Sequence, residues 1–356
     1  MAEYPGSERE RRIMPATLTA DVSAIFMACD MSQADATLLA ASLAAADQRG
    51  IHSHGTLRVP DYVDKLTKGG VDPRARPTIA SDNGAALVID AHNAMGQVAA
   101  AFAMEQAIAR ARQVHVAVAA VRNSNHCGAM EHWASMALPH GMIGVAMTNA
   151  LPTMAPWGGI DKIVGINPLA VAIPGGKEPP VVLDIAFGAT AHGKIRVYRQ
   201  KGFPIPEGWA FDADGDPTTD AAVAMAGLIQ PIGGHKGVGL GVVMGLLSSL
   251  LSGGAYGTEL GNMVDGARPG HDGHLFMAID IAAFQPVDAV RRRVDAASRE
   301  ISGSRRRAGV ERVYPPGLLE HEFAQRYATE GIPLNAETLE GIRAAGRGLG
   351  LEVLAA

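Results

Sequence analysis

Cysteine is almost missing: Cys29 and Cys127 are the two in 356 residues. Two thiols cannot build the disulfide framework of a small secreted protein, and they suit a reducing compartment, so a cytoplasmic protein is expected. A basic excess is missing too. Lys and Arg number 31 against 36 Asp and Glu, for a net charge of −5, which leaves no electrostatic footprint for nucleic acid. The charges Glu8-Arg9-Glu10-Arg11-Arg12 have no apolar core beside them, so the N-terminal segment does not read as a secretory signal. Aromatics are few, with eight Phe, six Tyr and three Trp set against 42 Gly. A backbone so rich in glycine has many places to turn tightly or to approach another group closely.

Long apolar runs are scarce as well. The one exception is Gly237 to Thr258, which carries no charge and is long enough to span a bilayer. It contains Gly241-Val-Val-Met-Gly245, a close-packing pattern. Its Gly and Ser content, in an otherwise soluble composition, predicts a buried helix packed tightly on a neighbour and no membrane partner. The dinucleotide fingerprint is also absent. Gly239-Leu-Gly241-Val-Val-Met244 fails at its last position, and no such motif follows an early strand. Lys236 is followed by Gly237, which excludes a P-loop. Asp212-Ala-Asp214-Gly215-Asp216-Pro217 has its glycine at the fourth position and Val223 at the twelfth, so it reads as a surface turn and not a calcium loop.

The composition that is present, 47% hydrophobic and 19% charged, is that of a packed globular chain, and the length suggests about two domains. Helical spacing over 15–48, with Ser32 as N-cap and a stop at Gly50, is followed by a helical turn at Tyr62–Leu66. A strand is predicted at Ala85–Asp90 and a helix at Gly96–Arg112. Short apolar strands follow at Val116–Val121, Ile143–Met147, Pro168–Ile173, Val181–Ile185 and Leu275–Ile281. Pro156-Trp157-Gly158-Gly159 reads as a tight turn. A charged helix at Pro286–Ile301 and a helical tail from Leu319, broken at Gly331-Ile332-Pro333, close the chain. No repeat with a period of 20–50 residues is visible. The prediction is a mixed α/β protein, with a helical layer from both chain ends enclosing a central mixed sheet.

Chemistry concentrates in three places. Between Asp47 and Arg58 a helix ends at Gly50, and His52, Ser53, His54 and Arg58 follow within a few residues. An arginine can grip a carboxylate with two parallel hydrogen bonds, and a histidine can move a proton near neutral pH. Those are the tools for a 2-hydroxy or 2-oxo acid; solvated arginines and capping histidines are the bland reading. His52-x-His54 is a weaker metal pair, with no acidic or histidine pair close by. The second place is Ser124-Asn125-His126-Cys127-Gly128, at the end of a predicted strand. Adjacent side chains project apart, so His126 and Cys127 do not make a thiol dyad. The third is Gly233-Gly234-His235-Lys236-Gly237, where helix-start amides and a lysine favour an anion. Asp184, at a strand end, can orient a histidine or cap a helix. The run Arg305-Arg306-Arg307 can meet a cofactor phosphate or simply face solvent. A metal-dependent hydrolase built on His52 and His54 is a rival reading, as is a non-catalytic protein that binds a carboxylic acid.

Several motifs stand in order along residues 20–335: Asp47-x-Arg49-Gly50-x-His52-Ser53-His54-Gly55-x-x-Arg58-x-Pro60-x-Tyr62, Asn93-x-x-Gly96-Gln97, Ser124-x-His126-x-Gly128, Pro156-x-Gly158-Gly159, Asn167-Pro168, Asp184-x-Ala186, Pro217-Thr218-Thr219-Asp220, Lys236-Gly237-x-Gly239-Leu240 and Tyr314-x-Pro316-Gly317. Together they resemble the malate/L-lactate dehydrogenases of the non-Rossmann, L-sulfolactate dehydrogenase-like type. That family also includes ureidoglycolate dehydrogenase and reductases of cyclic ketimines.

The resemblance implies hydride transfer between NAD or NADP and a small 2-hydroxy or 2-oxo acid, or reduction of a cyclic 2-imino acid. It implies a largely antiparallel central sheet in a cofactor domain over 76–299. A helical substrate and dimerisation domain would be formed by 1–75 together with 300–356, and members are homodimers or larger. Family roles fall on Ser53, His54 and Asp184 as a proton relay, with Arg58 on the substrate carboxylate beside His54 and Thr148. In ureidoglycolate-like members the catalytic histidine is the one matching His126, so His54 and His126 both stand as candidates. Cofactor contacts would come from Asn125, His126, Gly128, Thr148, Asn149, Asp184, Ile185, Ala186, Lys236, Gly237 and Arg305. Two departures, Leu318 in place of a common glutamate and Cys127 in place of an aromatic or small residue, bear on pocket shape.

Overall fold

The computed structural model describes residues 6–354; Met1–Pro5, where the N-terminal segment read above begins, lie outside it. The chain ends meet. Strand Arg11–Ile13 pairs antiparallel with Ile332–Leu334, Arg12 opposite Pro333, which brings the last helices onto the first. Helices Pro15–Ala28, Gln33–Gln48, Val59–Lys68 and Ala336–Gly348 share an apolar core that includes Leu18, Phe26, Leu43, Tyr62 and Ile342. Ser32 caps the second of these helices, its hydroxyl accepting from the Asp35 amide at 3.2 Å.

A seven-stranded sheet forms the centre. Its order is Thr78–Asn83, Ala86–Asp90, Val116–Ser124, Asp272–Asp280, Met142–Thr148, Leu169–Ile173 and Val181–Ile185. One pair, Ala86–Asp90 with Val116–Ser124, is parallel and the rest are antiparallel. This is a mixed sheet of the expected kind, with no doubly wound nucleotide fold. Helix Gly96–Val114 lies on it through Ala99, Ala103, Ala107 and Ala111, all fully buried. Their spacing of four puts the small side chains on one face, so helix and sheet approach closely. The edge strand Thr78–Asn83 does not stand out in the sequence. Its Thr-Ile-Ala-Ser-Asp-Asn run is nearly all exposed and carries no apolar alternation. A third packing centre, built on Met154, Ile195, Ile205, Ala224 and Ile229, surrounds a small sheet of two-residue strands too short to leave a periodic signal.

The uncharged stretch corrects one expectation. Helix His235–Ser249 is not enclosed: Gly237, Gly241 and Gly245 pack inward, while Leu240 and Val243 are each 48% exposed. The inward face needs glycine, because a Cβ on Gly245 would sit 2.4 Å from the Asn167 side-chain nitrogen. The stretch His235–Ser252 is long and apolar enough to cross a membrane, yet one face of the helix seats on Asn167, whose side chain donates to the Gly241 carbonyl at 2.7 Å. Pro156–Gly159 is the expected turn, closed by Gly159 N–H to the Pro156 carbonyl at 2.8 Å.

Gly96 opens the long helix directly beneath the turn that carries Asn125 and His126. A Cβ there would lie 2.0 Å from the Asn125 carbonyl oxygen and 2.4 Å from that of His126. Gly96→Ala should therefore lower unfolding stability by about 1–3 kcal/mol in denaturant titration. An unchanged midpoint would show that this close approach does not constrain the turn.

Candidate active site

The first wall grows from Asp47, fully buried at the end of helix Gln33–Gln48. Its carboxylate accepts from the His52 ring nitrogen Nδ1 at 2.8 Å, the Thr56 amide at 2.7 Å and the Thr56 hydroxyl at 2.6 Å. Gly55 has to be glycine, since a Cβ would fall 2.1 Å from Asp47 Oδ1. The carboxylate thus gathers the 47–56 turn around itself and holds His52 on its own side. His54 meets the Ser53 hydroxyl at 3.0 Å through Nδ1. Arg58, buried, donates from Nε to the Ser53 carbonyl at 2.9 Å and from Nη1 to Asp61 at 3.2 Å. Arg196 shares Asp61 at 3.1 Å. Gly193 makes room for the guanidinium, because a Cβ there would lie 2.6 Å from Arg58 Nη2.

The second wall is the turn after strand Val116–Ser124. His126 Nδ1 faces the Tyr62 hydroxyl at 2.6 Å, and its ring stacks on His54 with centroids 5.6 Å apart and planes 16° from parallel. Positions 54 and 126 are thereby brought face to face. Beneath them His274 joins Ser124 Oγ at 2.8 Å and Thr148 Oγ1 at 2.7 Å, tying three neighbouring strands together. Cys127 is buried against His274 and Met130, and burial pushes its thiol pKa up, so it is no nucleophile.

Two cavities meet at His54 and Gly128. The larger, about 680 Å³, is lined by Ser53, Gly128, Met130, Asp184, Ile185, Ala186 and Tyr314–Gly317. The smaller, about 500 Å³, is lined by Arg58, Tyr62, Asn125, His126, Thr148 and His192. Burial dominates the electrostatics. It pushes His54 down to about 3, with the Arg58 charge adding to the effect. It holds His126 well below its ordinary value, helped by His54 and Arg58. His192 falls to about 4 by burial, then Lys162 and Arg58. Neutral imidazoles in a field of fixed cations make a site for an anion.

The remaining expected residues divide. Asn125, Thr148 and Asn149 line the smaller cavity, but their polar atoms are engaged by the fold. Asn125 bonds Asn93, Ala94 and the Gly270 amide. Thr148 bonds His274, and Asn149 bonds Ala255 and the Gly273 amide. Asp184 accepts from the Glu131 amide at 2.9 Å, at the start of helix Met130–Ser135. Among the described residues no hydrogen bond joins it to Ser53 or His54, so the expected three-member relay is not a connected chain here. Burial raises its pKa to about 6 and that of Glu131, paired with Arg49, to about 7. Lys236 and Gly237 line neither cavity: Lys236 is exposed, and Gly237 packs against the Ile232 carbonyl. Arg305 is exposed too and lies off both cavity walls. Among the described residues no three His, Cys, Asp or Glu side chains gather as a metal-ligand set. Sequence reasoning assigned no role to Tyr62, Gln97, His192 or His274; the last two carry no local motif and become visible only through burial.

The malate/L-lactate dehydrogenase family profile matches residues 13–343. The chain belongs to the malate/L-lactate dehydrogenase family. Among family relatives, a malate dehydrogenase from Pyrococcus horikoshii is 35% identical over 328 residues, covering 90% of each chain. A Δ1-pyrroline-2-carboxylate/Δ1-piperideine-2-carboxylate reductase from Pseudomonas putida is 32% identical, covering 95% of this chain and 98% of the reductase. The structure of sulfolactate dehydrogenase from Methanocaldococcus jannaschii superposes with a TM-score of 0.88 at 34% identity, over 96% of this chain and 98% of that one. As a family member the chain is an oxidoreductase that uses a nicotinamide cofactor.

Two outcomes follow for this family site. Histidine NMR of the free enzyme should show His54 still neutral at about pH 5, and Arg58→Gln should move its midpoint upward because the lowering charge is gone. A wild-type midpoint near 6.5 would contradict the burial argument. Arg58→Lys should raise KM for the acid about tenfold with a smaller effect on kcat, because a planar two-point grip becomes a point charge. An unchanged KM would remove Arg58 from the binding role.

Proposed function

We propose that the chain catalyses reversible hydride transfer between a nicotinamide dinucleotide and the 2-position of a small 2-oxo or 2-hydroxy acid. The observation that carries this is the stacked, neutral pair His54 and His126, beside the buried Arg58, where two cavities join. The larger cavity suits the dinucleotide. Gly128, with φ +80° and no side chain, leaves the junction open, and Asp184–Ala186 with Tyr314–Gly317 form the walls. When bound, the reduced nicotinamide supplies the hydride.

The rest falls to the side chains. Arg58 keeps both N–H groups of Nη2 and one of Nη1 for the acid's carboxylate. Burial is the main cause that holds both histidines down and the Arg58 charge adds to it; the acid's carboxylate offsets that added part, so a ring becomes easier to protonate once the acid is bound. One ring then exchanges a proton with the reacting oxygen and the other polarises it.

Charge supports a substrate with a second anionic group. Arg58, Lys65, Lys162 and Arg196 line the smaller cavity with Asp272, and Asp61 bridges Arg58 and Arg196. Four basic side chains thus face two carboxyl groups, one of which, Asp272, burial pushes up to about 7, so the lining favours an anionic ligand. Malate and sulfolactate, named for relatives above, have that character. Reduction of a cyclic 2-imino acid is the second reading, supported by the relation to the Pseudomonas putida reductase. Arg305–Arg307 lie off both cavity walls, on the exposed segment leading to Tyr314–Gly317, so the panel below carries both NADH and NADPH. The exposed Leu240, Val243, Leu247, Leu250 and Leu251 support a homodimer, and two free cysteines suit the cytoplasm.

A spectrophotometric panel tests this, following NADH and NADPH with oxaloacetate, sulfopyruvate, pyruvate and Δ1-piperideine-2-carboxylate. The dianionic acids should exceed pyruvate in kcat/KM by about tenfold or more, the worth of one charge-assisted hydrogen bond. No turnover with any member and no binding of either nucleotide would overturn the proposal.

A further inference from the structure

Two donors converge on one atom, Nδ1 of His126. The Tyr62 hydroxyl stands 2.6 Å away, and the Gly128 amide N–H reaches the same nitrogen at 3.4 Å. A backbone amide can only donate, so Nδ1 offers it a lone pair, and the phenol proton points to the same place. Behind Tyr62, the Gln97 side-chain NH₂ donates to the phenol oxygen at 3.1 Å. That bond occupies the oxygen as an acceptor and leaves its proton for the imidazole. Gln97 is 0% exposed and Tyr62 1%. Burial keeps the phenol protonated, and Gln97 follows Gly96, the residue on which the His126 turn rests. The chain Gln97–Tyr62–His126 therefore crosses from the helix to the cavity wall without water.

We propose that Tyr62 and Gln97 are positioning residues that keep the single proton of His126 on Nε2, making that ring a neutral hydrogen-bond donor to the reacting oxygen, while His54 with Ser53 carries the proton. The proposal rests on the reaction proposed above. A second proton on His126 would have to enter at Nδ1, against two donors already aimed there. His54 is under no such restriction. Its Nδ1 faces the Ser53 hydroxyl at 3.0 Å, and a hydroxyl donates to the neutral ring or accepts from the charged one. The division of labour thus follows from the partner each ring has been given.

Nitrogen-15 histidine NMR of the free enzyme reads the tautomer directly, with His126 identified by the signal lost in His126→Asn. The wild-type protein should show Nε2 protonated and Nδ1 bare, and Tyr62→Phe should shift His126 toward the other tautomer. Tyr62→Phe should also lower kcat about ten- to hundredfold, with KM for the acid held within about twofold by Arg58. Gln97→Leu, which keeps the phenol in place, should act in the same direction more weakly. A proton on Nδ1 in the wild type would overturn the proposal, as would full kcat in both variants or a fall in kcat matched by an equal rise in KM. The tautomer is read without substrate, so a chain that turned over no acid would fail the proposed reaction and still decide the state of His126.

Discussion

The site depends on the buried carboxylate of Asp47. One side chain with no solvent contact satisfies His52, the Thr56 amide and the Thr56 hydroxyl, and in doing so winds ten residues into a single turn. An unpaired carboxylate in that position would be costly, so its partners are held firmly. The missing Cβ of Gly55 is the steric half of the same arrangement. With the turn closed in this way, His52 is committed to structure, while Ser53, His54 and Arg58 are left at the meeting of two cavities. In His52-x-His54 one ring is committed to Asp47 and the other faces the junction of the two cavities.

Electrostatics then decide what the working groups are. Burial alone drives His54 and His126 to the neutral form, and Arg58 pushes them further. Asp61 lies between Arg58 and Arg196 and bridges the two guanidinium groups. The smaller cavity is lined by more basic than acidic side chains and by neutral imidazoles, a setting that suits an acid. Catalysis of this kind needs groups fixed before the substrate arrives. The His274 link between Ser124 and Thr148 and the latch of Asn125 onto Gly270 supply that rigidity from below.

Much of this was legible in the sequence. An alanine-rich run marked the long helix, apolar runs marked the buried strands, and the ordered motifs singled out His54, Arg58 and His126. Edge strand Thr78–Asn83 was invisible because its polar residues face solvent on both sides. Asn125, Thr148 and Asn149 stood as cofactor contacts through the family resemblance; the structure places them on the wall of the smaller cavity, with their side chains also hydrogen-bonded within the fold. Lys236 stood as a cofactor contact through the resemblance and its glycine-rich context; in the structure it is exposed, and Gly237, Gly241 and Gly245 pack closely on their neighbours. Asp184 illustrates a general limit: a carboxylate at a strand end fits a relay or a cap equally well, and the structure gives it both the Glu131 amide at 2.9 Å and a place on the wall of the larger cavity. The Gln97–Tyr62–His126 chain joins positions distant in sequence, so no local spacing could reveal it.

The central claim is that one cavity takes the nicotinamide, the other takes the acid, and His54 stands where they meet. A crystal structure of the chain with reduced nicotinamide dinucleotide and a non-reacting analogue such as oxamate tests it most directly. The account predicts the analogue's carboxylate on Arg58, the polar group at its 2-position between His54 and His126, and the nicotinamide ring at the Gly128 opening. A nucleotide bound outside the larger cavity, or a carboxylate held away from Arg58, would contradict it.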